Sequence, residues 1–273
     1  MLKKYIPSSL LIVGLVVVVN VSAETVNFNK TKDWNGPIKE ATVNGTTCLK
    51  AIGDSTLKSK KVFLFDPQKI YTISAEAKSI GDNTSTVLLG FQCFDSRNQH
   101  IKANFVKCLP KTETMLAAPC KPKDKIIMIN DGAKWNHNKW LSSYIAFEVD
   151  DSGKYADLPN KNLSPKIIQI TKKEGVWNIH LEAPCRKNYP AGTKVREHEN
   201  GNAYTYSAAG KKLPSQWTII KGTAKGFFKG GSFSAKSFRP GTKYIRVIAL
   251  LNLGDNKRQT SVAIKNIKLE ISE

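Results

Sequence analysis

Acidic residues are scarce in this chain, helical periodicity is nearly absent and only one long apolar run occurs. No Cys-x-x-Cys or His-x-x-x-His appears, so the usual zinc spacings are missing and no metal is expected. No serine sits in a Gly-x-Ser-x-Gly elbow and no glycine run has the phosphate-loop pattern, which leaves serine hydrolysis and phosphate-cradling chemistry without their residues. A glycosidase needs two carboxylates facing one cleft. Glu148, Asp150, Asp151 and Asp157 lie near one another, but Asp150-Asp151-Ser152-Gly153 reads as a turn. No cofactor is implied.

What is present begins with Lys3 and Lys4, the apolar run Leu10 to Val19, and Val21-Ser22-Ala23, whose side chains suit the −3 and −1 subsites of a signal peptidase. Residues 1–23 therefore read as a secretory signal. The run is too short to span a bilayer, which takes about 20 apolar residues, and no later stretch is longer. The expectation is an exported protein, secreted, periplasmic or at the cell surface, with no membrane span and, lacking a cysteine beside the cleavage point, no lipid anchor.

Lys and Arg total 42 against 22 Asp and Glu, a formal net charge of +20. A field of that size draws polyanions. The lysines are scattered and form no basic helix or arginine cluster, so nucleic acid is not the expected partner. In an exported protein, an acidic polysaccharide is. Five cysteines, Cys48, Cys93, Cys108, Cys120 and Cys185, in an oxidising compartment make at least one disulfide plausible. Cys108 and Cys120 flank a short segment and rank first as a pair. Cys93, in the apolar run Val87 to Phe94, reads as a buried small hydrophobe.

Short alternating runs bounded by Gly, Pro, Asn and Asp recur throughout, an all-β pattern. Ile70 to Lys78 and Thr86 to Phe94, joined at Gly81-Asp82-Asn83, read as one hairpin. Lys243 to Asn252 and Thr260 to Ile271 read as another, and the two would supply facing sheets of a sandwich. Between Cys108 and Pro214 the runs are shorter and richer in proline. The expected organisation is a discontinuous sandwich over 24–107 and 216–273 with a small β subdomain, 108–215, inserted into it.

The outer segments resemble a carbohydrate-binding module of the jelly-roll type found attached to xylan- and glucan-degrading enzymes. The similar stretches are Phe65-Asp66-Pro67-Gln68-Lys69-Ile70-Tyr71-Thr72-Ile73-Ser74, Leu89-Gly90-Phe91 with Phe94-Asp95, Trp217 with Ile219, and Gly241-Thr242-Lys243. They cover roughly half of the chain. The resemblance implies a jelly-roll sandwich and glycan binding. Such modules often carry an aspartate near a structural calcium in the last strand; Lys265, in Ile264-Lys265-Asn266-Ile267, stands there instead, and a lysine cannot ligate calcium.

A sugar ring presents an apolar C–H face, so saccharide sites use an open indole or phenol with amides and charged groups gripping the hydroxyls. Trp135, Asn136, His137, Asn138 and Trp140 are the best candidates, with Trp34 beside Asn35-Gly36-Pro37 as a second loop indole; Trp177 and Trp217 lie inside alternating runs and read as core. Arg196, Glu197, His198, Tyr204 and Tyr206 form the one cluster with catalytic side chains. A polysaccharide lyase would need a cation for the uronate carboxylate, a base and an acid, roles that Arg196, His198 and Tyr204 could fill if they met across adjacent strands. The leading expectation is a non-catalytic, secreted binder of acidic polysaccharide; the alternatives are such a lyase, or a structural or adhesive protein of the envelope.

Overall fold

The computed structural model describes residues 23–81, 83–137, 140–228 and 234–273; the expected signal up to residue 22 and Asn138 lie outside them. Strands β1 Glu24–Asn27, β2 Trp34–Asn35, β3 Lys39–Val43, β4 Thr46–Ile52, β5 Ser55–Leu64, β6 Ile70–Ile80 and β7 Ser85–Phe94 come first. Next are β8 Thr114–Met115, β9 Ile126–Ile129, β10 Ser143–Phe147, β11 Leu163–Lys173, β12 Val176–Leu181 and β13 Lys194–Glu199. The chain ends with β14 Thr205–Leu213, β15 Thr218–Lys225, β16 Tyr244–Leu251 and β17 Ser261–Ser272. Two single 3-10 turns, Thr31–Asp33 and Ala103–Phe105, are the only helical pieces among the described residues, and none is long and apolar enough to cross a membrane.

The protein is all-β. One sheet runs β15-β6-β17-β4-β3 with β1 added on β17, and a second runs β14-β7-β16-β5-β2. Alternation places one side of each strand against a shared core: Tyr71, Ile73, Ala75 and Ala77 of β6 meet Val87, Leu89, Phe91 and Cys93 of β7, all buried. Burying each large apolar side chain contributes about 1.5 to 3 kcal/mol. Tyr71, Phe91 and Phe238 pack ring on ring at centroid separations of 5.0 to 6.3 Å. In β17 the buried set shifts from Val262 and Ile264 to Ile267, Leu269 and Ile271. The register breaks between Lys265 and Lys268, with Asn266 at φ +50°, a bulge whose extra residue resets the alternation.

Neither expected hairpin forms. β6 pairs with β15 and β17 while β7 pairs with β14 and β16, so the two ends of each supposed hairpin lie in opposite sheets. The connections arch across the core because both strands of each pair carry a buried apolar face, and stacking those faces across the core buries both.

The third sheet, β8-β13-β10-β11-β12-β9, has its own core of Leu116, Ile127, Ile129, Ile145, Phe147, Ile167, Ile179 and Val195 among others. Its edges meet. Leu116, just past β8, bridges Ile129, and Asn130 N–H donates to the Met115 carbonyl at 3.0 Å while Ala117 N–H donates to that of Met128 at 2.9 Å. The sheet therefore curls into a small ring of strands. β14 corrects one expected boundary: it pairs with β7, so the sandwich regains the chain at Thr205 rather than at residue 216. Arg239, fully buried, ties the units at this junction by donating to the Ile101 and Asn202 carbonyls.

Candidate functional site

Strand β13 brings Arg196 and His198 onto one face, as period-two alternation requires. His198 Nδ1 lies 2.8 Å from the Asn104 carbonyl oxygen, which can only accept, so Nδ1 carries the proton. Nε2 is then a bare acceptor, receiving Arg196 Nη2 at 3.1 Å and facing Cys108 Sγ at 3.4 Å. The guanidinium also donates to Asp157 Oδ2 at 2.9 Å, lies 3.9 Å from Glu113 and stacks on the Tyr155 ring at 5.0 Å. Burial, reinforced by the Arg196 charge, holds His198 far below the usual imidazole range, at about 4. Burial pushes the Cys108 thiol up to about 12.

These directions are opposite to those of a thiolate–imidazolium nucleophile. Arg196 and His198 are 0% exposed, so no polymer reaches the groups on which a lyase role would rest. Tyr204 does not join them: β13 pairs with β8 and β10, not with β14, and Tyr204 lies 6.2 Å from the His100 ring. The cluster is a buried polar core between β13 and the Ala103–Phe105 turn. The Cys108–Cys120 pairing does not form either. Both are free thiols, Cys108 beside His198 and Cys120 bridged to Tyr189.

The tryptophans divide by burial. Trp34 is buried and spends its indole N–H on the Phe28 carbonyl at 3.0 Å, so it pins the loop to the sandwich. Trp135 is buried too, donating to the Thr112 carbonyl at 2.9 Å. Trp140 stands 95% exposed. Trp177 and Trp217 are only half-buried rather than core; Lys265 and Lys78 lie 4.5 and 5.3 Å from the Trp217 ring centre. Trp135, Asn136, His137 and Trp177 line an open groove of about 540 Å³ with Ile168, Gln169 and Ile170 of β11. Its loop is anchored from below, where Asn136 N–H donates to buried Glu197 Oε2 at 2.7 Å.

A larger cleft, about 750 Å³, lies at the other stretch of β11 and was not anticipated. Lys161, Lys166, Arg186 and Lys187 line it with Asn162 and Tyr144, and Glu182 is the one carboxylate among the lining residues. Lys161 pairs with Asp95, and Lys187 donates to Asn162 Oδ1 at 3.0 Å. Asn162 in turn donates to Glu148 Oε2 at 2.6 Å, which fixes its amide. Burial pushes the Tyr189 phenol up to about 12, and its ring stacks on Phe147 at 3.9 Å to form the wall. The four cations come from segments some twenty residues apart, so only the Arg186-Lys187 dipeptide hints at the cleft in sequence.

No protein-family model matches the chain, and no curated protein matches it.

Proposed function

We propose that this chain is an exported carbohydrate-binding protein, its sandwich of jelly-roll type, that holds an acidic polysaccharide against the ring of strands inserted between β7 and β14. The observation that carries the reading is the cleft of about 750 Å³ lined by Lys161, Lys166, Arg186 and Lys187. Its cations suit carboxylate or sulfate groups repeating along a sugar polymer. The neighbouring groove, with Trp177 half-exposed and the Asn136 amide at its rim, offers a surface for the apolar face of a ring. Trp140 supplies a further open indole. The net charge of +20 steers a polyanion toward both.

Affinity electrophoresis in gels cast with alginate, a sulfated galactan, heparin or neutral xylan tests this. Retardation by the charged polymers that weakens with added salt is the expected outcome. Unchanged mobility in all four gels would refute it.

A further inference from the structure

We infer that Cys120 and Cys185 form a disulfide when the protein meets an oxidising environment, stapling two segments at one end of the ring of strands. The pairing is independent of the glycan reading.

Both cysteines are free thiols in the structure, both are buried at 2% and 5% exposure, and both belong to the core inside the ring. The backbone holds their two segments side by side. Cys120 and Tyr189 exchange hydrogen bonds at 2.9 and 2.8 Å, and Cys185 N–H donates to the Asp124 carbonyl at 2.8 Å while Lys123 N–H donates to that of Cys185 at 3.1 Å. Segments 120–124 and 185–189 are thus laced together around one apolar core that takes in both side chains, and Cys120 Sγ lies 4.0 Å from the carbonyl of Lys187, two residues from Cys185. The remaining cysteines have other neighbours: Cys48 faces the Ala41 carbonyl, Cys93 faces Thr205 and Cys108 faces His198.

The chemistry balances through thiol–disulfide exchange. A disulfide oxidant, either a small-molecule disulfide or an oxidoreductase, is attacked by one thiolate and releases one of its own sulfurs as a thiol. The second cysteine then displaces the other, so that one S–S bond forms, two thiol protons are lost and the oxidant is reduced to two thiols. Burial and the neighbouring thiol hold Cys120 well above the usual thiol range in the folded chain. Thiolate is therefore scarce once the core has closed, which places the reaction during folding.

The test refolds the full chain with a mixture of oxidised and reduced glutathione, denatures it with an alkylating reagent and maps the peptides. The expected result is a linked Cys120–Cys185 peptide, with Cys48, Cys93 and Cys108 alkylated and all five cysteines alkylated only after reduction. Reductant should lower the melting temperature of the oxidised protein and leave that of a Cys120→Ser/Cys185→Ser variant unmoved. Alkylation of all five without reduction, or a link joining any other pair, would overturn the inference.

Discussion

The neutral state of His198 makes the stability of this protein depend on mild acid. Its Nε2 accepts from the Arg196 guanidinium, and protonating it would lose that bond and set a second cation against Arg196 in a buried place. An unfolded imidazole binds its proton below about 6.5, whereas His198 in the fold does so only below about 4. Between those values the unfolded chain holds more protons, so stability is full above the upper limit and falls as pH drops through the window. At about 1.4 kcal/mol per pH unit, the loss from this one ring is about 2 kcal/mol between pH 7 and pH 5, reaching about 3 kcal/mol at the lower limit. His100, also depressed to about 4 by burial and by Arg239, adds to the loss. Glu197 opposes it, since burial raises its carboxyl and favours the protonated fold. Replacing His198 by Asn isolates the term. Urea unfolding at pH 7 and pH 5 should show the parent losing about 2 kcal/mol more than His198→Asn. Equal losses, or a His198 ring that titrates in the folded protein near 6.5 by NMR, would refute the reasoning.

Gly90 on β7 leaves no room for a side chain, because a Cβ there would sit 1.9 Å from the Thr205 carbonyl oxygen. Gly90→Ala should cost about 3 kcal/mol by forcing β14 from β7, read as a melting temperature lower by several degrees, and an unchanged melt would contradict the close approach. Trp140→Ala should leave the melt unmoved while reducing retardation in alginate gels, whereas Trp135→Ala should destabilise by about 3 to 5 kcal/mol; the reverse pattern would exchange their roles. Lys166→Glu with Arg186→Glu should weaken alginate binding about tenfold or more at low salt, with the gap closing as salt screens the cleft. Undiminished binding would move the site elsewhere.

The strand character of the chain was legible because alternation is local: Tyr71, Ile73, Ala75 and Ala77 announce an inward face without any knowledge of their partners. Pairing was not legible, since β16 bonds to β5 nearly two hundred residues earlier and a turn at Gly81 looks the same whether it closes a hairpin or arches between sheets. Arg196 and His198 were rightly placed on one face of a strand. Their burial was hidden, because the groups that contact them, Asn104 and Cys108 from the β7–β8 connection and Asp157 from the β10–β11 connection, are distant in sequence. Proximity in sequence pointed to Cys108 as the partner of Cys120, whereas the backbone laces the segment of Cys185 to that of Cys120. The basic cleft depends on β11 lying beside the 182–189 segment, a juxtaposition that charge counting along the chain does not reveal.

Strands β16 and β17 occupy the middle of the two sandwich sheets, flanked by β7 and β5 in one and by β6 and β4 in the other. Both lie within the final thirty residues of the chain. A chain that stops before Tyr244 therefore has every strand of the ring at β8 to β13, yet only the flanks of the sandwich, with their inner ladders unoccupied. Loss of this tail by a late stop codon or by proteolysis removes both keystones at once, so a clipped chain should keep a protease-resistant fragment near 106–204 and digest elsewhere.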